Sequence, residues 1–143
     1  MIAIFLSKSL DVENCIYYFC TAADKQRNKA TAVLRGLLWQ LILKYPKFES
    51  TLRKWFGNEA RTEKTLSSPE TLWNIFLDLI SQSYFSDTFC ILDGLDECDA
   101  ESKTWLARKL ASLSKMRSHI EIANIGRESL HGSSEWLCTC HQS

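Results

Sequence analysis

Two kinds of segment alternate along the chain: short runs that are apolar throughout, and longer stretches in which apolar residues recur every three or four positions. Met1 to Leu10 reads as the end of a helix, with Ile2, Phe5 and Leu6 on one face. Ile16 to Cys20 is a short aromatic-rich run whose length and composition suit a buried strand. From Ala30 to Tyr45 the residues Ala30, Val33, Leu34, Leu37, Leu38, Leu41 and Ile42 form a broad helical stripe. Asn28 is its expected N-cap, and Pro46 stops it at Tyr45. Phe48, Leu52, Trp55 and Phe56 predict a shorter helix ended by Gly57 and Asn58, and the polar stretch from Asn58 to Thr65 reads as a surface loop. Ser68 then caps a helix that has Pro69 at its first position and Leu72, Ile75, Phe76, Leu79 and Ile80 on its apolar face. Thr88 to Leu92 is a second apolar run, Ser102 to Lys115 a helix carrying Leu106, Leu110 and Leu113, and Ile120 to Ile125 a third strand. Strands apolar along their whole length, separated by helices, specify an α/β fold: a parallel sheet with helices on both faces.

Length and composition narrow this little. A chain of 143 residues suggests one domain, and at that size roughly 68–70% of the unfolded surface is buried on folding. Lys plus Arg number 17, as do Asp plus Glu, so the net charge is zero and gives no global electrostatic case for nucleic acid or an anionic membrane. The basic residues Lys25, Arg27, Lys29 and Arg35 accordingly read as a solvated loop and helix start. Trp39, Trp55, Trp73 and Trp105 fall in predicted helices and read as packing, not as a base-stacking platform. The first apolar run stops at Leu6 with no positive charge before it, so it is not a secretory signal. No stretch reaches the roughly 20 apolar residues of a membrane span, and the cytoplasm is the expected compartment.

Six cysteines show no spacing of a disulfide framework or a paired zinc site. Cys15, Cys20 and Cys90 lie in or beside the strand-like runs, where a thiol behaves as a small hydrophobe. Cys138, Cys140 and His141 cluster near the end, but three neighbouring ligands without a distant fourth do not close a tetrahedral site.

The chemistry concentrates in FCILDGLDECD, Phe89 to Asp99. A hydrophobic strand ends at Asp93, Gly94 permits a sharp exit, and Asp96 and Glu97 follow at once. Ligands of open α/β sheets bind beyond the carboxyl ends of the strands, which is where Asp93 falls. A carboxylate there suits a hard cation such as Mg²⁺, and an acid one turn further on suits the polarising of an attacking water. The other reading is a solvated Asp-Gly turn whose acids cap the following helix. Four acidic residues in seven, at the end of a buried strand, repel one another unless a cation or base answers them.

These residues carry a family resemblance. CILDGLDECD resembles the extended Walker B motif of NACHT domains, and YYFC followed by KATAVLRGLLWQLI resembles the second strand and following helix of the fungal NACHT proteins linked to heterokaryon incompatibility, also called nephrocystin-like N-terminal domains. The resemblance covers roughly Met1 to Ile125, with residues 1–127 expected as a partial NACHT domain and 128–143 as an irregular tail. It implies a RecA-like sheet of the P-loop NTPase class, Mg²⁺ with ATP or GTP, homotypic NACHT association, and a switch between closed and open assemblies. Carried over by motif, Asp93 matches the magnesium-side acid, and Asp96 and Glu97 match the acids assigned to water activation. Arg127 matches the arginine that senses the terminal phosphate, although IEIANIGRES departs from the usual pattern and a plain surface arginine is the other reading.

The largest departure from the family is a missing phosphate loop. None of Gly36, Gly57, Gly94, Gly126 and Gly132 lies in a GxxxxGKS or GxxxxGKT pattern. In the resembling proteins that loop precedes the helix beginning here at Met1, so the first strand and the loop are expected to be absent and the RecA-like sheet incomplete. That absence is expected to leave the Phe89–Leu92 strand without a neighbour, and the chain marginally stable and prone to aggregate. Three functions compete: a NACHT fragment with little hydrolysis of its own, a non-catalytic module that modulates full-length NACHT proteins, and an unrelated Mg²⁺-dependent enzyme using Asp93, Asp96 and Glu97.

Overall fold

A computed structural model describes residues 15–57, 59–82, 88–113 and 120–125. Strand β1 (Cys15–Phe19) leads to helix α1 (Ala30–Lys44), then a 3₁₀ turn at Pro46–Phe48 running into α2 (Glu49–Arg53). Helices α3 (Glu59–Ser67) and α4 (Pro69–Ile80) precede strand β2 (Thr88–Asp93). A 3₁₀ turn at Leu95–Glu97, helix α5 (Ala100–Leu113) and strand β3 (Ile120–Ile125) complete the order. The predicted helix at Met1–Leu10 lies outside the described residues.

The strands form one parallel sheet in the order β1-β2-β3. Strand β2 is therefore central and paired on both sides, which corrects the expectation that Phe89–Leu92 lacks a neighbour. Ile16 stands opposite Cys90 and Tyr18 opposite Leu92, so these side chains share one face. On that face Ile16, Cys90 and Leu92 join a core with Leu34 and Leu41 of α1, Ile75 and Phe76 of α4, and Leu106 and Leu113 of α5. On the other face Cys15 and Ile91 form a small buried cluster against Phe19 and Phe89.

Helices were expected on both faces of the sheet, but among the described residues they stand on one, and Tyr17 on the other face is exposed. Topology gives the reason. Both crossovers step across the sheet in the same direction, and right-handed crossovers running one way place their helices on one side. A helix on the opposite face needs a connection running the other way.

Local rules explain most element ends. Ser68 caps α4 by accepting from the Thr71 N–H at 3.2 Å, with Pro69 following as expected. Tyr45 ends α1 just before Pro46, its N–H donating to the Leu41 carbonyl. Two expectations fail. Asn28 does not cap α1: Lys29 holds the N-cap position without a side-chain bond, and Ser102 of α5 accepts the Ala30 N–H at 3.0 Å instead. The expected loop after Asn58 is helix α3, whose EARTEKTLS sequence is rich in good helix formers while lacking an apolar stripe. Of the four tryptophans expected in helices, Trp55 falls in the turn after α2, and only Trp73 is buried, edge-on to Trp105 at 6.2 Å, whereas Trp39 is exposed.

The outer edge of β1 is closed by side chains. The Tyr17 N–H donates to Gln40 Oε1 at 3.0 Å, and Gln40 Nε2 donates back to the Tyr17 carbonyl at 2.7 Å. One residue pair on, Arg27 Nη2 donates to the Phe19 carbonyl at 3.2 Å. Helix α1 comes this close because residue 36 is glycine: a Cβ there would stand 2.6 Å from the Tyr18 ring. Arg27 thus has a structural task at the sheet edge.

Candidate functional site

The acidic segment emerges at the carboxyl end of the central strand. Asp93 is the last residue of β2 and is half-buried. Gly94 follows in the left-handed region, with φ 72° and ψ 31°. The Glu97 N–H donates to the Gly94 carbonyl at 2.8 Å, closing a single tight turn. Within that turn Leu95 points into the core, Asp96 is exposed and Glu97 is half-buried. The alternation is what a short amphipathic turn does: one apolar side chain anchors it while its neighbours stay at the surface.

The turn is sewn to the loop that follows β1. The Cys20 N–H donates to the Asp93 carbonyl at 2.8 Å, extending the strand pairing by one residue. The Ala22 N–H donates to Glu97 Oε2 at 3.0 Å. The Asp99 N–H donates to the Asn28 carbonyl at 3.0 Å, and Ser102 takes the Ala30 N–H as described above. Between these bonds the thiols of Cys20 and Cys98 lie 3.2 Å apart, sharing a hydrogen bond. That bond and then burial push the Cys20 thiol far above its ordinary range, with the Asp93 and Glu97 carboxylates adding to the effect. Burial likewise pushes the Cys90 thiol up to about 12.

Asp99 has a different task from its acidic neighbours. Its Oδ1 accepts the Ser102 N–H at 2.7 Å, capping α5, and this bond from the Ser102 backbone holds its carboxyl below the usual range. The capping reading of the acidic run is thus correct for Asp99. A carboxyl whose folded value is depressed stabilises fully above its unfolded value of about 4 and loses that contribution as pH falls through the folded value. Asp99→Ala is therefore expected to cost about 1 kcal/mol at pH 7. In urea titrations the gap between wild type and variant should close as pH is lowered toward 3. A gap independent of pH would mean that the carboxylate is not the cap.

The structure brings Asp93, Asp96 and Glu97 to one sheet edge; Arg127 lies outside the described residues. Among the described residues no three His, Cys, Asp or Glu side chains converge as a metal cage. One carboxylate at a strand end fits Mg²⁺, which takes its other positions from water and phosphate, better than it fits a metal needing an all-protein shell. An apolar groove of about 420 Å³, lined by Leu38, Trp39, Ile42, Leu52, Phe56 and Leu66 among others, includes none of the acids. No helix among the described residues is long and apolar enough to cross a membrane. Sequence reasoning located the acids but missed Cys20 with Cys98 and the Ala22–Glu97 bond. Those partners are 78 and 75 residues apart and no local pattern links them.

Residues 1–127 match the family described as "Nephrocystin 3, N-terminal". The vegetative incompatibility protein HET-E-1 of Podospora anserina is 33% identical to the chain over 96 residues, which is 65% of this chain and 7% of that protein. The chain thus spans a small part of the curated relative it matches. No solved structure matches the chain.

Proposed function

The chain belongs to the Nephrocystin 3, N-terminal family, and from that premise we propose that it forms the magnesium-side part of a NACHT-type nucleotide switch in a signalling protein. The observation that carries this reading is the position of Asp93, at the carboxyl edge of the central strand with Asp96 and Glu97 directly beyond a left-handed glycine. Three parallel strands in consecutive order are compatible with part of a RecA-like sheet. Its resemblance to part of a vegetative incompatibility protein adds support for a signalling role.

In this reading Asp93 would hold Mg²⁺, which when bound neutralises charge on the phosphates of ATP or GTP. Asp96 and Glu97 would orient the attacking water and accept its proton. The Ala22 N–H fixes the Glu97 carboxylate for that task, so the loop after β1 acts as a positioning element. Arg127 would meet the terminal phosphate. The 143 residues contain no GxxxxGKS or GxxxxGKT sequence, and phosphoryl transfer depends on such a loop for positioning and charge. These residues alone are therefore expected to bind the cation weakly and to show no steady turnover.

Mn²⁺ replacing Mg²⁺ provides the test. Titrated into labelled protein at millimolar concentration, it should broaden the backbone signals of Asp93 to Glu97 first, and Asp93→Asn should remove the effect. Broadening centred elsewhere, or unchanged in the variant, would overturn the assignment of Asp93. Steady ATP or GTP hydrolysis by the 143 residues, abolished by Glu97→Gln, would overturn the expectation of inactivity.

A further inference from the structure

We propose that Cys20 and Cys98 form a dithiol–disulfide site, oxidised by peroxides, that covalently fastens the acidic turn to the end of β1. The two sulfurs lie 3.2 Å apart, and a disulfide is about 2.05 Å long, so closure needs a movement of only about 1 Å. The surrounding backbone already holds the pair in register. The Cys20 N–H is bonded to the Asp93 carbonyl, and the residue after Cys98 donates to the Asn28 carbonyl. The residues are 7% and 8% exposed, shielded but at the margin of the core. Cys98 directly follows the surface turn that carries exposed Asp96.

The other described cysteines offer an internal contrast. Cys15 and Cys90 are also buried, but they belong to clusters on opposite faces of the sheet. Alternation along parallel strands keeps their side chains apart.

The chemistry balances with a peroxide as oxidant. The Cys98 sulfur attacks one peroxide oxygen, the O–O bond breaks, and the products are a sulfenic acid on Cys98 and an alcohol, or water from hydrogen peroxide. The Cys20 sulfur then attacks the Cys98 sulfur. The S–S bond forms, the S–O bond breaks, and hydroxide leaves with the Cys20 proton as water. The two sulfurs give up two electrons and the peroxide takes them. A thiol reductant reverses the bond by exchange. Because the cross-link joins positions 78 apart, it also removes much freedom from the unfolded chain. This thiol chemistry is independent of nucleotide.

The test uses the full chain with Cys138→Ser and Cys140→Ser, so that no tail thiol competes. Native protein is treated with hydrogen peroxide, alkylated and digested, and the peptides are mapped by mass spectrometry. The expected product is a Cys20–Cys98 linked peptide, with Cys15 and Cys90 alkylated only after unfolding. Dithiothreitol should remove the link. The oxidised form should melt several degrees higher, and amide exchange at Ala22 and Asp99 should slow. Adding Cys98→Ser should abolish the link and the shift; if that variant fails to fold, the peptide map of the parent protein decides alone. Recovery of both thiols free, their separate oxidation to sulfinic acids, or a link formed only after denaturation would each show that the pair is packing and nothing more.

Discussion

Replacing Gly94 by valine is expected to destabilise the domain by about 3–5 kcal/mol, a large fraction of a typical folding free energy. Two costs combine. At φ 72° a side chain with a Cβ is strained, by roughly 1–2 kcal/mol. That Cβ would also stand 2.8 Å from the Cys20 carbonyl oxygen, which is main chain and cannot rotate away. Relief requires the acidic turn to part from the β1 exit. Parting weakens the Cys20–Asp93 and Ala22–Glu97 bonds, each worth roughly 0.5–1.5 kcal/mol or somewhat more where a carboxylate accepts. Gly57→Ala is the control. Among the described residues a Cβ there meets only the flexible Arg61 side chain, at 3.5 and 3.6 Å, and its effect should stay within about 0.5 kcal/mol. Urea denaturation of both variants measures the difference. Equal midpoints would mean that the turn does not lie against β1 as described.

Phe76→Ala should cost a comparable amount, about 3–5 kcal/mol, because a large ring leaves a cavity that rigid neighbours fill only in part. Phe76 is 1% exposed in the middle of α4, with the Trp73 ring 5.6 Å away. Trp39 makes the contrast informative. It is a larger aromatic side chain, yet 62% exposed, so Trp39→Ala should change stability by only about 0.5 kcal/mol. A thermal or urea series in which Trp39→Ala is the costlier change would show that the helical layer faces the wrong way.

The same division separates what the sequence discloses from what it hides. The stripe on α1, the capped and proline-started α4, and the strand at Ile120–Ile125 are all legible, because each is written in neighbouring residues. Helix α3 is not, since its residues favour helix mainly by propensity and lack a periodic apolar stripe, with Thr65 buried and Leu66 half-buried against the core. The cap of α1 is hidden for another reason: Ser102, which supplies it, is 72 residues away. Strand order is likewise a long-range property, so apolar runs announce strands without saying that β2 lies between the others. For the site, Asp93, Asp96 and Glu97 stand out by spacing. What holds them is a set of backbone bonds to the β1 exit, and backbone donors leave no trace in residue identity.

The amide of Gln40 gives the sheet a direction. With Tyr17 satisfied by that side chain and Phe19 by Arg27, the β1 flank offers an incoming strand few vacant partners. End-to-end polymerisation through sheet edges needs two receptive flanks on every molecule. A flank whose main-chain groups are already taken by side chains is a poor site for such growth. Opening the shut side would mean lifting α1, and with it Leu34, Leu37 and Leu41, out of the core.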